Sequence, residues 1–478
     1  MKKDVVIYFI SKIIIGIIGL VVLKLYSSMI DPAGYGEYSL VASLVTALIS
    51  IFIGWIGSSA LRYYDEYKDK KILLFTNITF YYIFMLMLCY IILYLCKYLM
   101  PTIPIEKYYI FIVFFTMTMS MQEILEKLLR ASNKTVVYAL TSVVQSILSI
   151  ILFYIIVKYT NLEAESIFIS AAMSKAVFVI MSLFTLGYII KFRGFRIDKK
   201  ILKKFLNYGI PMIGVWGVGW ILHYCDRYII SMYINNYEVG IYDMSCKISE
   251  NTINLLISSF TLSIFPMLIR DWNKGGKKVI EDKFKTIVKY YNLIILPAVV
   301  GLILISDKLY LGIIDPKYAS GKLVIIIISI GTFINGLNSI LNKIWQLNEK
   351  TKNILYILIA SVIINLVLNI ILIPSMGINA AALTTLISYV FSIVVTYVFV
   401  RKEMIIKFDV KSFGKTIISC FVMSVFILIA NTIVDSLIGL FIEVILAILI
   451  YVVSTLLLKN IDERIITSVT RRLKKHGN

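Results

Sequence analysis

Runs of about 20 apolar residues, parted by short polar breaks, recur along this chain from end to end. A run of that length spans the hydrocarbon core of a bilayer, so the pattern predicts a multi-spanning helical membrane protein. Fourteen spans can be drawn, of which the first covers about 5–30, the seventh 208–234, the eighth 241–268, the ninth 286–305 and the tenth 323–346. The first span opens with Lys2 and Lys3 like a signal peptide but runs on past a cleavable length with no small-residue cleavage site, and it is kept as a span. At 59% hydrophobic and 16% charged residues, the chain is far from the soluble average of about a quarter charged. A soluble enzyme, a disordered chain and a secreted disulfide scaffold are thereby excluded. Five scattered cysteines and two histidines offer neither a zinc-site spacing nor a disulfide framework.

The net charge of +20 would suggest nucleic acid in a soluble protein, but its placement gives it another meaning. Of 48 Lys and Arg, 35 lie in the N-terminus, the tail from Lys459 and the alternate connections 62–71, 127–134, 191–207, 269–285, 347–353 and 401–415. The opposite side carries six: Lys97, Lys107, Lys158, Lys308, Lys317 and Lys322. Basic residues flanking short loops stay cytoplasmic, so both termini are expected in the cytoplasm, in a cytoplasmic (inner) cell membrane, with no nucleic-acid partner. The connections are too short to hold a soluble catalytic module, and no enzymatic activity is expected.

The chain also repeats itself. Gly36-Glu37-Tyr38 opens span two and Gly240-Ile241-Tyr242 opens span eight, 204 residues later. Asn133-Lys134-Thr135 before span five matches Glu349-Lys350-Thr351 before span eleven. Six spans separate each pair, and because six is even the copies share one orientation, a parallel repeat about an axis along the membrane normal. The expected architecture is all-α: an N-lobe of spans 1–6 at 1–200, a C-lobe of spans 7–12 at 201–405, and two further helices with a basic tail at 406–478. Two such six-helix lobes would enclose a central cleft.

Three motifs carry a family resemblance. They are Gly34-Tyr35-Gly36-Glu37-Tyr38-Ser39-Leu40 followed by Ala60-Leu61-Arg62-Tyr63-Tyr64; Cys225-Asp226-Arg227-Tyr228 with Val239-Gly240-Ile241-Tyr242; and Ile373-Pro374-Ser375-Met376-Gly377-Ile378-Asn379-Ala380-Ala381-Ala382. They resemble the signatures of polysaccharide-biosynthesis membrane proteins within the multidrug/oligosaccharidyl-lipid/polysaccharide exporter superfamily, with Asn379 standing where Gly is more common. The resemblance implies a MATE-like fold and a flippase that moves undecaprenyl-pyrophosphate-linked oligosaccharide from the cytoplasmic to the outer leaflet by alternating access. It implies a polyprenyl-pyrophosphate-linked glycan and membrane lipids as partners, alongside polysaccharide polymerase or export proteins.

Charged residues inside spans are the candidates for chemistry, since a Lys or Arg at a helix centre costs roughly 2.5–3.5 kcal/mol and is expected to face a cavity. Lys12, Lys24, Lys175, Arg227 and Lys247 lie deep, whereas Lys289 and Lys343 sit near span mouths where side chains snorkel. Trp216, Trp220, His223 and Arg227 share one helical stripe, which offers indole faces to sugars and a guanidinium fork to phosphate, or alternatively forms an interfacial belt. Glycines and Pro211 in the same span make it easy to bend. Asp243, Lys247 and Glu250 follow at ion-pair spacing, either neutralising one another or serving with Asp226 as a gating or cation-coupling network. Asn335, Asn338 and Asn342 form a third stripe whose amides suit sugar hydroxyls and equally suit helix-to-helix bonding.

Gly414-Lys415-Thr416 ends like a P-loop, but Asp409 occupies the earlier glycine position, so no nucleotide cradle is expected. No cofactor or metal is expected either; sodium or proton coupling stays open. An anion moving outward gains about 2.3 kcal/mol per charge per 100 mV when the inside is negative. The alternatives are a lipid II flippase, a small-molecule cation antiporter of the same superfamily, which would want acids in its cleft, and an integral-membrane glycosyltransferase or polymerase, which would want a large catalytic loop.

Overall fold

A computed structural model describes residues 2–187, 197–434 and 436–461. The tail beyond 461, part of the basic connection 191–207, and the side chains of residues 2–10, Lys12, Ile13, Val215, Leu262 and Leu311 lie outside what it describes. Among the described residues the regular structure is helical throughout. Lipid offers the backbone no hydrogen-bond partners, so each spanning run must satisfy its amides internally.

The helices are α1 (Lys2–Met29), α2 (Pro32–Tyr63), α3 (Lys71–Leu99), α4 (Ile105–Ala131), α5 (Thr135–Tyr159), α6 (Ala164–Leu186), α7 (Lys199–Tyr233), α8 (Asn236–Leu304), the short α9 (Ser306–Gly312), α10 (Lys322–Leu347), α11 (Thr351–Met376), α12 (Ile378–Glu403), α13 (Val410–Ala430) and α14 (Leu437–Leu457). Among the described residues, twelve are long and apolar enough to cross a bilayer. The apolar Ile14–Met29 stretch of α1 adds one span. At 69 residues and 1.5 Å rise, α8 runs about 100 Å and supplies two, which makes fourteen.

The main departure from expectation is in α8. The basic connection 269–285 was expected as a loop, yet it is helical on either side of Gly276, whose φ of 58° and ψ of −149° are open only to glycine. Lys283 and Asp271 pair at 2.5 Å from opposite sides of that break. Two spans therefore meet through a single kinked residue. α2 is also irregular, with a π-helical turn at Ile49–Ile53. Other entries into helices follow local rules: Asp31 caps α2 ahead of Pro32, and the Asp198 side chain accepts from the Lys200 amide at 2.8 Å to start α7.

The chain divides into two compact units. The first comprises 1–248 with 358–385 and the second 249–357 with 386–478. These boundaries cut α8, α11 and α12, so packing density does not follow the division at 1–200, 201–405 and 406–478, which describes a repeat in sequence. In the first unit, α4, α5 and α6 pack side by side, α1 lies along α5, and α2 packs on α4 and α7. In the second, α13 and α14 pair around Cys420, Met423, Ile427, Ala447 and Tyr451, against Leu296, Val300, Leu304 and Ile305 of the α8 end.

Candidate functional site in the first unit

The two Gly-x-Tyr segments meet each other. A Cβ on Gly36 would overlap the carbonyl oxygen of Asn236, and one on Gly240 would overlap that of Pro32, so the starts of α2 and α8 touch backbone to backbone in a reciprocal pair. Only glycine permits that approach. The tyrosines that follow flank a charged cluster built on the next turns.

Its centre is Asp243 of α8. One carboxylate oxygen, Oδ1, receives Arg227 Nε at 2.7 Å and lies 2.7 Å from Nη2, while Oδ2 pairs with Lys247 Nζ at 2.8 Å. Arg227 Nη1 donates to the His223 carbonyl at 2.6 Å and lies 3.4 Å from Asp226 Oδ1. The Tyr242 hydroxyl donates to the other Asp226 oxygen. Two cations face two carboxylates, so the cluster carries no formal net charge, which is how charges survive burial.

The cluster has one open side. Arg227 is 3% exposed and Asp243 1%, whereas the Lys247 side chain keeps 32% of its surface. The Lys247 ammonium donates to the Tyr35 hydroxyl at 3.2 Å and stands 5.3 Å and 5.6 Å from the ring centres of Tyr35 and Tyr38. Those rings continue into Tyr26, Phe153 and Phe168 at centroid distances of 4.5–6.5 Å. Of the two rings beside Lys247, Tyr35 is fully buried and Tyr38 keeps part of its surface.

Arg227 does not occupy the phosphate-gripping position expected of it. Its guanidinium is enclosed and engaged by Asp243, Asp226 and a backbone carbonyl, so a phosphate would have to displace two carboxylates. Nor do the indoles stand free for sugars. Trp216 wedges against Gly54, whose Cβ would stand 2.7 Å from the ring, and lies 4.9 Å from the Lys127 ammonium. Trp220 donates to the Ser43 carbonyl at 2.9 Å and stacks on Tyr224 at 5.9 Å. Gly209 is held in turn against Trp55. Gly214, Gly217 and Gly219 of α7 look onto open space, and His223 is exposed one turn before Arg227.

The remaining expected residues are dispersed. Lys175 of α6 donates to Gln122 Oε1 at 3.3 Å, and the Gln122 amide donates to Glu126 and Gln145, each at 2.9 Å, a polar knot of α4, α5 and α6. Lys24 is exposed on α1, and the Lys12 side chain lies outside the described residues. Glu250 is half-buried on α8 in the second unit. There too Asn338 donates to Ser392 at 2.8 Å, binding α10 to α12; the amide oxygens of Asn338 and Asn342 are enclosed without a hydrogen bond, and Asn335 is half-exposed. Sequence reasoning passed over Tyr35 and Tyr38 as neighbours of Lys247, although their place in the repeated segment was the signal. Among the described residues no group of three His, Cys, Asp or Glu could hold a metal ion.

Comparison with known proteins accords with this architecture. The family described as "Polysaccharide biosynthesis protein" matches residues 1–272. A "Probable low-salt glycan biosynthesis flippase Agl15" of Haloferax volcanii is 24% identical over 315 residues, 65% of this chain and 66% of that protein. The lipid II flippase MurJ of Bacillus subtilis is 25% identical over 191 residues, 39% of this chain and 35% of its own length. The chain thus spans about two thirds of one relative and a third of the other. Among solved structures, a lipid II flippase MurJ in an inward closed conformation superposes with a TM-score of 0.76 at 18% identity, covering 95% of this chain and 98% of that one. An inward-facing multidrug resistance MATE family transporter of the MOP superfamily gives 0.63 at 12% identity, covering 83% and 98%. With the matched segment reaching from the first span through the reciprocal glycines and the charged cluster, the chain belongs to the polysaccharide biosynthesis protein family.

Proposed function

We propose that this protein moves a polyprenyl-phosphate- or pyrophosphate-linked oligosaccharide from the cytoplasmic to the outer leaflet by alternating access. The observation that carries the reading is Lys247, whose side chain keeps 32% of its surface beside the half-exposed Tyr38 ring inside a membrane-spanning unit. A phosphate head needs a cation to offset its desolvation, and the partly exposed Tyr38 ring offers a face to a sugar. The family, the Agl15 relative and the MurJ-like fold support the same reading. A cation antiporter would present acids, but here Asp226 and Asp243 are buried behind Arg227, Lys247 and Tyr242, so the surface left open is cationic.

The test is appearance of lipid-linked oligosaccharide at the outer leaflet of reconstituted vesicles. Lys247→Met should lower the rate at least tenfold and Lys247→Arg should restore part of it, while both proteins accumulate normally. A Lys247→Met protein that flips at the parent rate removes the phosphate role. Vesicles loaded with lipid II in place of the oligosaccharide lipid separate the two flippase substrates.

Orientation is part of the proposal: the asymmetry of 35 basic residues against six supports both termini lying in the cytoplasm. With cysteines introduced singly, Lys317→Cys should be labelled by an impermeant reagent from outside intact cells and Lys199→Cys should not. The reverse pattern inverts the topology.

A further inference from the structure

Glu443 is the only charged residue in α14, the most apolar helix of the chain, and it is 2% exposed. It lies six residues in from Leu437, about 9 Å along the helix axis. Its neighbours Ile442, Ile445 and Leu446 are exposed, while Leu440, Glu443, Ala447 and Tyr451 form the buried face. The acid therefore points into the packing of α13, α14 and the end of α8. Both of its carboxyl oxygens are fully enclosed, and neither has a hydrogen-bond partner. An ionised carboxylate without a hydrogen bond or ion pair is the costliest group a protein interior can hold, and such a group neutralises instead.

Among the described residues the surroundings supply one charge. The end of α8 presents Leu304 and Ile305, and α13 presents Met423, Ile427 and the thiol of Cys420, which lies toward Tyr451. α9, which packs on α14, brings the buried Lys308, whose positive charge acts on Glu443. Asp307 of α9 is turned away, exposed and paired with Lys322 at 2.5 Å. The Lys308 ammonium is spent elsewhere, donating to the carbonyl of Val434 in the α13–α14 connection. Beside it Asn431 donates to the Leu304 carbonyl at 3.1 Å, and its own amide oxygen is enclosed without a partner.

We propose that Glu443 is a proton-binding site with Lys308 as its internal counter-cation. With the proton bound, the acid is neutral and Lys308 stays on the Val434 carbonyl. When the proton leaves to bulk water, the ammonium turns from that carbonyl to the carboxylate, and the tie between α9 and the α13–α14 connection is released. The Glu443–Lys308 pair passes from one positive charge to none, with a lysine replacing the proton. A purely structural acid would have kept its ion pair or a donor. The inference does not depend on what the chain transports.

The test is infrared spectroscopy of the full chain in lipid nanodiscs. A protonated acid gives a carbonyl stretch distinct from that of carboxylate. Such a band should be present in the parent. It should vanish in Glu443→Gln and fade as the medium is made alkaline. Lys308→Met should hold the band about one pH unit or more further into the alkaline range, because an opposite charge no longer favours the carboxylate. Hydrogen exchange of residues 431–434 should quicken several-fold on alkalinisation relative to Glu443→Gln at the same pH. Identical spectra for the parent and Glu443→Gln at neutral pH overturn the site, and a band indifferent to Lys308→Met overturns the counter-cation. If Glu443→Gln does not accumulate, the parent's own titration decides: a band that never fades overturns the proposal.

Discussion

Arg227→Ala is expected to lose its fold before it loses transport. The substitution leaves Asp243 and Asp226, 1% and 2% exposed, with one cation fewer in a place water does not reach. Breaking a buried pair in this way costs about 3–5 kcal/mol, because the abandoned charge stays desolvated. Thermal unfolding of the detergent-solubilised protein should fall accordingly, and expression with it. The charge-balanced pair Arg227→Met with Asp243→Asn should recover most of the loss, since Asp226 keeps the Tyr242 hydroxyl and Lys247 remains as the opposing cation. Should Arg227→Ala unfold at the parent temperature while only flipping fails, the guanidinium meets the substrate after all and the ion cluster is not its main role.

The second large effect is expected at the reciprocal glycines. Any side chain at Gly36 or Gly240 overlaps main-chain atoms of the opposite segment, and a backbone cannot swing aside as a long side chain can. Overpacking of this kind costs about 1–3 kcal/mol, and a bias of that size shifts a two-state equilibrium by about 5–150-fold. Gly36→Val or Gly240→Val should therefore hold the starts of α2 and α8 apart. Ser39, buried two turns into α2, reports it: Ser39→Cys should be labelled slowly in the parent and several-fold faster with either valine present. On the proposed alternating-access reading, transport should fall in both. Unchanged labelling together with unchanged transport would mean that the contact gates nothing.

What the sequence determined alone follows from the solvent. Lipid leaves an apolar run of about 20 residues no structure but a helix, so the fourteen spans were readable one at a time. Where water returns, that compulsion ends, and there the reading erred: 269–285 has the composition of a loop but continues as helix up to a single glycine. Cross-helix pairing was the other limit. Spacing along one helix pairs Asp243 with Lys247, but Arg227 lies 16 residues before Asp243 on another helix, and no periodicity connects the two. Depth alone made Arg227 and Lys247 look equivalent; tertiary packing closed one behind carboxylates and left the other open.

The repeat shows the same division. Gly36-Glu37-Tyr38 and Gly240-Ile241-Tyr242 announce a duplicated segment, yet that the copies lie against each other became evident only from the fold. Glu443 is visible in the sequence as one acid in an apolar run. Whether it faced lipid, a partner or nothing depended on α8, α9 and α13 arriving from far along the chain. A span is decided by the free energy of transfer of its own residues, which is local and additive. The state of a buried charge is decided by the groups brought within a few ångströms of it, and those come from parts of the chain that sequence spacing does not relate.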